Sequence, residues 1–172
     1  NPPQTRHALD QVKKVSANLN HAIGQLLSLA RNDPDAGQLL QMETLDLTKL
    51  SRQITMEWIE SANTQKIDLG FSGENSPCVI TGDAIRIKEL LDNLLDNALR
   101  YCPPGSKVTV SVASDGTLSV EDNGPGISPE EREHIFERFH RGADTRAEGS
   151  GLGLAIVKEI AEIHGGNVKA TE

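Results

Sequence analysis

Two asparagines, Asn93 and Asn97, stand four apart in ELLDNLLDNALRY (89–101), a segment whose leucines read as helix. Asparagine is a poor helix-interior residue, because its amide competes for nearby backbone groups. Leu90, Leu94 and Ala98 mark an apolar face at helical spacing. Arg86, Glu89, Asn93, Asn97 and Arg100 recur at steps of three and four, so they stack as a polar stripe on another face. A solvated stripe would more naturally hold Lys and Glu. Two uncharged, oxygen-bearing amides one turn apart, flanked by an acid and a base, point to a ligand.

Two glycine clusters are further candidates. GSGLGL (149–154) differs from the dinucleotide fingerprint, because Leu stands at 154 and a polar loop, not a strand, precedes it. No G-x-x-x-x-G-K-[ST] occurs, so the chain is no P-loop protein. What remains is glycines running into a helix whose first N–H groups and positive dipole end suit an anion. A plain glycine-rich turn fits the same residues. DNGPG (122–126) is equally open: a turn, or an acceptor, Asp122, at the end of a strand for an exocyclic amino group. In the second reading Gly124 and Gly126 let the backbone approach a planar ring.

The elements that must position these residues are legible in part. Residues 5–31 read as one long helix with Val12, Val15, Leu19, Ala22, Leu26 and Leu29 as a heptad seam, widened by Leu9, Ile23 and Ala30 toward bundle packing. NDPDAG (32–37) breaks it. Asp46 caps a second helix to about residue 63, with Leu47, Leu50, Ile54 and Trp58 inward. Short strands are expected at 67–71 and 78–81, then the asparagine helix at 83–101, stopped by Pro103 and Pro104. KVTVSVA (107–113) and TLSVED (117–122) alternate as an antiparallel pair. A short helix starts near Pro129, another spans about 152–164 until Gly165-Gly166, and NVKAT begins a further strand. Without regular βαβ alternation the class is α+β, a sheet with helices on one face.

Bulk properties narrow the function. The 172 residues suffice for one domain plus a helical appendage, and aromatics make up only 3%, so Leu, Ile and Val supply the core. A net charge of −8 argues against general nucleic-acid binding while allowing a local site for a phosphorylated small molecule. Cys78 and Cys102 form no metal or redox motif and read as two reduced thiols. No run approaches the roughly 18 apolar residues of a membrane span, and no signal peptide opens the chain.

The order of the motifs is more specific than any one of them. An asparagine-bearing helix, D-x-G-x-G, the paired phenylalanines of FERF (136–139) and G-x-G-x-G follow one another with spacings that resemble the nucleotide-binding domain of bacterial two-component sensor histidine kinases. The resemblance covers nearly the whole chain, and the first helix is similar to the second helix of that family's dimerisation bundle. It implies a Bergerat-type two-layer α/β sandwich: residues 1–33 an incomplete bundle, 34–45 a linker, 46–172 an ATP-binding domain lacking the usual last strand. It also implies ATP and Mg²⁺ as ligands. Asn97 would give its amide oxygen to the metal with Asn93 in support, Arg100 would meet phosphate, Tyr101 would stack on adenine, and Asp122 would read the adenine amino group. Gly124 and Gly126 would admit the ring; Gly149, Ser150, Gly151, Leu152 and Gly153 would wrap the phosphates. Residues 140–151 would form a lid hinged at Gly142 and the glycine cluster, with Phe136 and Phe139 anchoring its base.

Gyrase-type and chaperone relatives carry E-x-x-x-N, in which the Glu activates water. Here Asn93 occupies that Glu position, and an amide is no general base at neutral pH. The expected reaction is therefore transfer of the γ-phosphoryl to a histidine, with Glu89 and Asn93 as the catalytic candidates; Glu89 equally suits a surface pair with Arg86. The family's H-E-x-x-T-P phosphoacceptor segment has no counterpart, since ALDQV follows His7 and AIGQL follows His21. The chain is thus expected to bind ATP yet not to label itself. His134 and His140 read as surface residues, and His164 as a helix-end residue where a cation is favoured. The implied partners are a response regulator, the parent's phosphoacceptor helix and a second copy, with no nucleic acid. The implied location is the cytoplasmic part of a kinase in the bacterial inner membrane. A water-activating hydrolase and a non-catalytic nucleotide-binding module are the competing readings.

Overall fold

A computed structural model describes residues 23–24, 40–73, 76–140 and 150–171. Residues 23 and 24 are helical; the rest of the expected bundle helix, Gly142, Gly149 and the body of the expected lid lie outside the described residues.

Strand β1 (Glu43–Asp46) pairs antiparallel with β3 (Val79–Gly82), Glu43 opposite Gly82 and Asp46 opposite Val79. The sequence reading assigns 34–45 to a linker; instead its last residues are strand, held because Leu45 and Ile80 pack under the neighbouring sheet with Leu47, Val112 and Leu118. Asp46 ends the strand and caps α1 (Leu47–Thr64), its carboxylate accepting from the Lys49 N–H at 3.2 Å. β2 (Asp68–Gly73) lies parallel to β4 (Lys107–Val112), and β4 antiparallel to β5 (Leu118–Asp122), giving the order β2-β4-β5. The β4–β5 turn closes at Gly116, whose φ of +88° needs the missing Cβ.

Helix α2 (Ala84–Tyr101) carries the asparagines. Its N-cap Asp83 accepts from the N–H groups of Ile85 and Arg86 at 3.0 and 3.2 Å, and from Gln41 N–H at 3.0 Å. The buried seam of α2 is Ile87, Leu91, Leu95, Ala98 and Leu99; of the expected Leu90, Leu94 and Ala98, only Ala98 belongs to it. The correction has a physical cause: α2 is covered on two sides. Leu91, Leu95 and Leu99 face Val108 and Val110 of the sheet and Ile54 of α1, whereas Leu90 packs against Leu152, Ile156 and Ile160 of α4 (Gly153–Ile163). Leu94 is only partly buried. Full burial of one such leucine contributes roughly 1.5–3 kcal/mol, so the two-sided contact fixes the helix firmly.

Between the sheet and α4 lies a one-turn helix, α3 (Pro129–Arg132), capped by Ser128. After α4, residues 166–171 form no strand, contrary to the expectation for NVKAT, because they make no ladder with any described residue.

One histidine sets how α4 lies on α2. His164 Nε2 accepts from the Asp83 N–H at 3.0 Å, so Nδ1 carries the proton and donates to the Ile160 carbonyl at 2.7 Å. The ring therefore latches the end of α4 to the start of α2 through both of its nitrogens. Its bond brings the C-terminus of α4 to the N-terminus of α2, so the two helices run in opposed senses. With a rise of about 1.5 Å per residue, eleven residues of α4 reach back to about the level of Asn93.

Candidate functional site

The stripe of α2 is built as its spacing foretold. Arg86, Glu89, Asn93, Asn97 and Arg100 are all half-buried, neither solvated nor in the core. Asn93 Nδ2 donates to the Glu89 carbonyl one turn back at 2.8 Å, which orients the amide with its oxygen away from the helix. The Asn97 carboxamide makes no hydrogen bond to a described residue. The stripe thus presents amide oxygens on consecutive turns, a donor set suited to a hard cation that arrives with its own anionic ligands.

Both charged ends of the stripe are paired. Arg86 Nη1 lies 3.3 Å from Glu89 Oε2, with Arg86 11% and Glu89 25% exposed. Arg100 Nη2 lies 2.7 Å from Asp96 Oδ2. Glu89 does pair with Arg86, but on a half-buried face and not the solvated surface that alternative supposed, and it shares that face with Asn93. Tyr101, the last helical residue, is 45% exposed.

Asp122 ends β5 and stands beside the C-terminus of α2. Its Oδ1 accepts from the Gly124 N–H at 2.8 Å. A Cβ on Gly124 would fall 2.7 Å from that oxygen and 3.0 Å from Cys102 Sγ, so the turn requires glycine there. Gly126 holds φ +73°, the left-handed region. Cys102 is 8% exposed, and burial first, then the Asp122 carboxylate, push its thiol up to about 11. Sequence alone passed over Cys102, and only the meeting of residues 102 and 122 across the fold brings it to the site.

The glycine loop is fastened at the opposite side. The Phe139 N–H donates to the Gly151 carbonyl at 2.9 Å, and both residues lie in the left-handed region, φ +63° and +71°. A Cβ on Gly151 would meet the His140 carbonyl oxygen at 2.7 Å and Phe139 backbone carbon at 2.8 Å. Arg138 adds a forked contact to Glu159 Oε1 of α4, at 3.1 and 2.6 Å. The Phe139 ring itself is 66% exposed, so it is the backbone and Arg138, not that ring, that anchor the segment; Phe136 is half-buried.

Ser150 Oγ accepts from the Leu152 N–H at 3.2 Å, while α4 starts with no side-chain cap. Its first N–H groups, from Gly153 onward, are those a helix leaves without intrahelical partners. Because α4 opposes α2, they come level with the asparagines. His134 is a surface residue paired with Glu137 at 2.8 Å, and that carboxylate holds its imidazole above the ordinary value.

Residues 82–172 match the model of the family described as histidine kinase-, DNA gyrase B- and HSP90-like ATPase. The chain is 38% identical over 168 residues to the sensor protein QseC of Escherichia coli K12, covering 98% of this chain and 37% of that protein. It is 37% identical over 171 residues to the sensor protein kinase PmrB of Pseudomonas aeruginosa, covering 97% and 35% respectively. Among solved structures, the cytoplasmic segment of histidine kinase QseC superposes with a TM-score of 0.61 at 30% identity, over 89% of this chain and 83% of that one. The chain spans about a third of the length of these curated relatives.

Proposed function

Because the chain belongs to the histidine kinase-, DNA gyrase B- and HSP90-like ATPase family and carries the ATP-binding part of a sensor histidine kinase, we propose that the face of α2 between Glu89 and Tyr101 holds Mg-ATP for phosphoryl transfer to a histidine. The observation that carries this reading is the Asn93 amide, whose nitrogen is pinned to the Glu89 carbonyl one turn back on the half-buried stripe that also carries Asn97. Asn97, supported by Asn93, holds Mg²⁺; neutral oxygens suit a metal already bound to triphosphate, where carboxylates would repel the phosphates. When bound, the ion neutralises charge on the phosphate oxygens.

The protein's own groups do the positioning. Asp122 accepts from the adenine amino group, Tyr101 lies against the ring, and Gly124 and Gly126 leave room for it. Arg100 turns from Asp96 to a phosphate oxygen, and the N–H groups of Gly151 and of the start of α4, with Ser150, Leu152 and Gly153, receive the rest of the triphosphate. Gly149 and Phe139 border the same loop. A histidine nitrogen on a bundle helix then attacks the γ-phosphorus: an N–P bond forms, the bond to the ADP oxygen breaks, and the imidazole loses its proton. Glu89 orients that imidazole. An aspartate of a response regulator is the next acceptor. On this reading the parent protein is a homodimer of the bacterial inner membrane with this part cytoplasmic; the similar QseC segment is described as cytoplasmic, which supports the last point alone.

Hydrolysis is disfavoured because Asn93 stands where a water-activating Glu would be needed. Labelled ATP tests the assignment. Given γ-labelled ATP, Mg²⁺ and a separate histidine-bearing helix from the parent, the helix acquires an acid-labile, base-stable phosphate. Release of inorganic phosphate alone identifies a hydrolase, and bound, unreacted ATP identifies a binding module; either result refutes the kinase.

A further inference from the structure

We infer that Asn123 is a positioning residue for Asp122, its carboxamide closing the β4–β5 ladder so that the neighbouring carboxylate meets an adenine in one fixed direction. The inference rests on the assignment of Asp122 as the reader of the base and deepens it.

The ladder itself singles Asn123 out. In an antiparallel pair, facing residues that exchange backbone hydrogen bonds alternate with facing residues that do not. The Ala113 N–H donates to the Thr117 carbonyl at 2.9 Å, and the register then sets Ser111 opposite Ser119 and Thr109 opposite Glu121. The next bonded pair in that series is Lys107 with Asn123. Half of it is ordinary, since the Asn123 N–H donates to the Lys107 carbonyl at 3.2 Å. The other half is not. The Lys107 N–H donates at 2.7 Å to Asn123 Oδ1, where a continuing strand would offer its main-chain carbonyl. The side chain thus stands in for its own backbone. The chain can leave the sheet at Asn123 without forfeiting the last bond of the ladder.

Asp122 is held on both sides of that exit. Side chains alternate between the faces of a strand, and Asp122 lies opposite Val108, which is buried in the main core with Leu95 and Leu99. Its carboxylate therefore leaves β5 on the face that the helices cover. One residue beyond Asn123, the Gly124 N–H donates to Asp122 Oδ1 at 2.8 Å. That donor steadies the carboxylate only as far as the turn carrying it is steady, and Asn123 ties the turn to the middle strand of the sheet. Lys107 is a firm anchor, because Asp68 of β2 lies opposite it on the other side. An Asn-Gly dipeptide alone asks only for a turn; the bond to β4 gives this turn its angle. With Oδ1 engaged by Gly124, the remaining lone pairs keep one direction, and an amino group at purine C6 donates into them. A carbonyl there sets oxygen against oxygen. A loosened carboxylate turns aside from that carbonyl and holds the amino group less well, so both changes narrow discrimination.

Calorimetric titration of ATP and inosine triphosphate, each with Mg²⁺, tests the inference on the wild type, Asn123→Leu, Asn123→Asp and Asp122→Asn. Asn123 is exposed, so these substitutions leave the core untouched. The wild type is expected to prefer ATP by roughly a hundredfold. Asn123→Leu, of similar shape but without the acceptor, narrows that ratio by about three- to tenfold, whereas Asn123→Asp, which keeps an oxygen for the Lys107 N–H, holds it within about twofold. Asp122→Asn collapses it, because an amide can turn to offer either oxygen or nitrogen. A merely structural role for Asn123 would lower the melting temperature and weaken both nucleotides alike. An unmoved ratio in Asn123→Leu beside a collapsed one in Asp122→Asn therefore overturns the inference while sparing the base assignment. Equal narrowing in Asn123→Leu and Asn123→Asp also overturns it, since the acceptor would then not be what matters. An unchanged ratio in Asp122→Asn overturns the base assignment and the inference with it. Should the leucine variant fail to fold, Asn123→Ala, which equally lacks the acceptor, is judged by the same outcomes.

Discussion

The two ends of the site are held in different ways. At the base end, Asp122 and Cys102 meet where β5 reaches the C-terminus of α2, and Cys102 belongs to the main core with Leu99 and Val108. At the proposed phosphate end, among the described residues, Phe139 N–H donates to the Gly151 carbonyl and Arg138 pairs with Glu159. The ion pair is 59% exposed at its arginine, where solvent screening leaves such contacts worth little. The base end is thus preformed by packing, and the phosphate end by backbone geometry at a few residues. On the proposed reading, specificity for the nucleotide and readiness for transfer are lodged in separate structural devices.

The comparison is broken most severely at Gly151. Gly151→Ala places a Cβ within 3 Å of three backbone atoms of Phe139 and His140 and forces a left-handed φ on a non-glycine residue. The left-handed backbone alone costs of order 1–3 kcal/mol. Transfer to a histidine-bearing helix is expected to fall at least tenfold, with ATP/inosine triphosphate selectivity retained. Loss of selectivity in parallel would show that the two ends are one device.

A smaller effect is expected from His164→Ala, far from both ends. It removes the acceptor of the Asp83 N–H and the donor to the Ile160 carbonyl, a loss of about 1–3 kcal/mol. Because His164 sets the level of α4 on α2, triphosphate affinity should drop while selectivity for the base stays; equal loss for ADP-ribose-type ligands lacking the terminal phosphate would contradict this. Thermal melting measures the first part and calorimetry the second.

The smallest effect is a pH dependence at the base end. Cys102 in the folded chain keeps its proton to about 11, above the ordinary 9.0. The folded state therefore binds more protons in that window, so this contribution to stability is complete below about pH 9 and is lost as pH rises toward 11. Melting curves of the wild type should decline across that range more than those of Cys102→Ser, whose hydroxyl does not titrate there. Parallel curves would show that the thiol is not buried against Asp122.

How much of this was legible beforehand follows from the range of each interaction. The α2 stripe, the cap at Asp46 and the β4–β5 pair are written within a few residues of one another, and periodicity with local capping chemistry reveals them. β1 was missed because ETLD has no strand pattern of its own; its conformation comes from pairing with β3, Glu43 opposite the distant Gly82. The buried seam of α2 was misplaced because the pairs Leu90-Leu91 and Leu94-Leu95 allow two faces, and only the arrival of α4 shows that Leu90 belongs to the second. Cys102 and His164 were read as ordinary residues for the same reason. Their neighbours in the fold, Asp122 and Asp83, lie 20 and 81 positions away along the chain. Local chemistry was visible in the sequence, and chemistry created by long-range contact was not.

The most direct measurement is the Mg²⁺ dependence of ATP affinity in the wild type and in Asn97→Ala, by calorimetry with and without a chelator. If the amide oxygen of Asn97 holds the metal, chelation weakens ATP binding by the wild type about tenfold or more, a difference of about 1.4 kcal/mol, and leaves the already weakened variant unchanged. A variant that loses affinity on chelation by the same factor as the wild type would contradict the account.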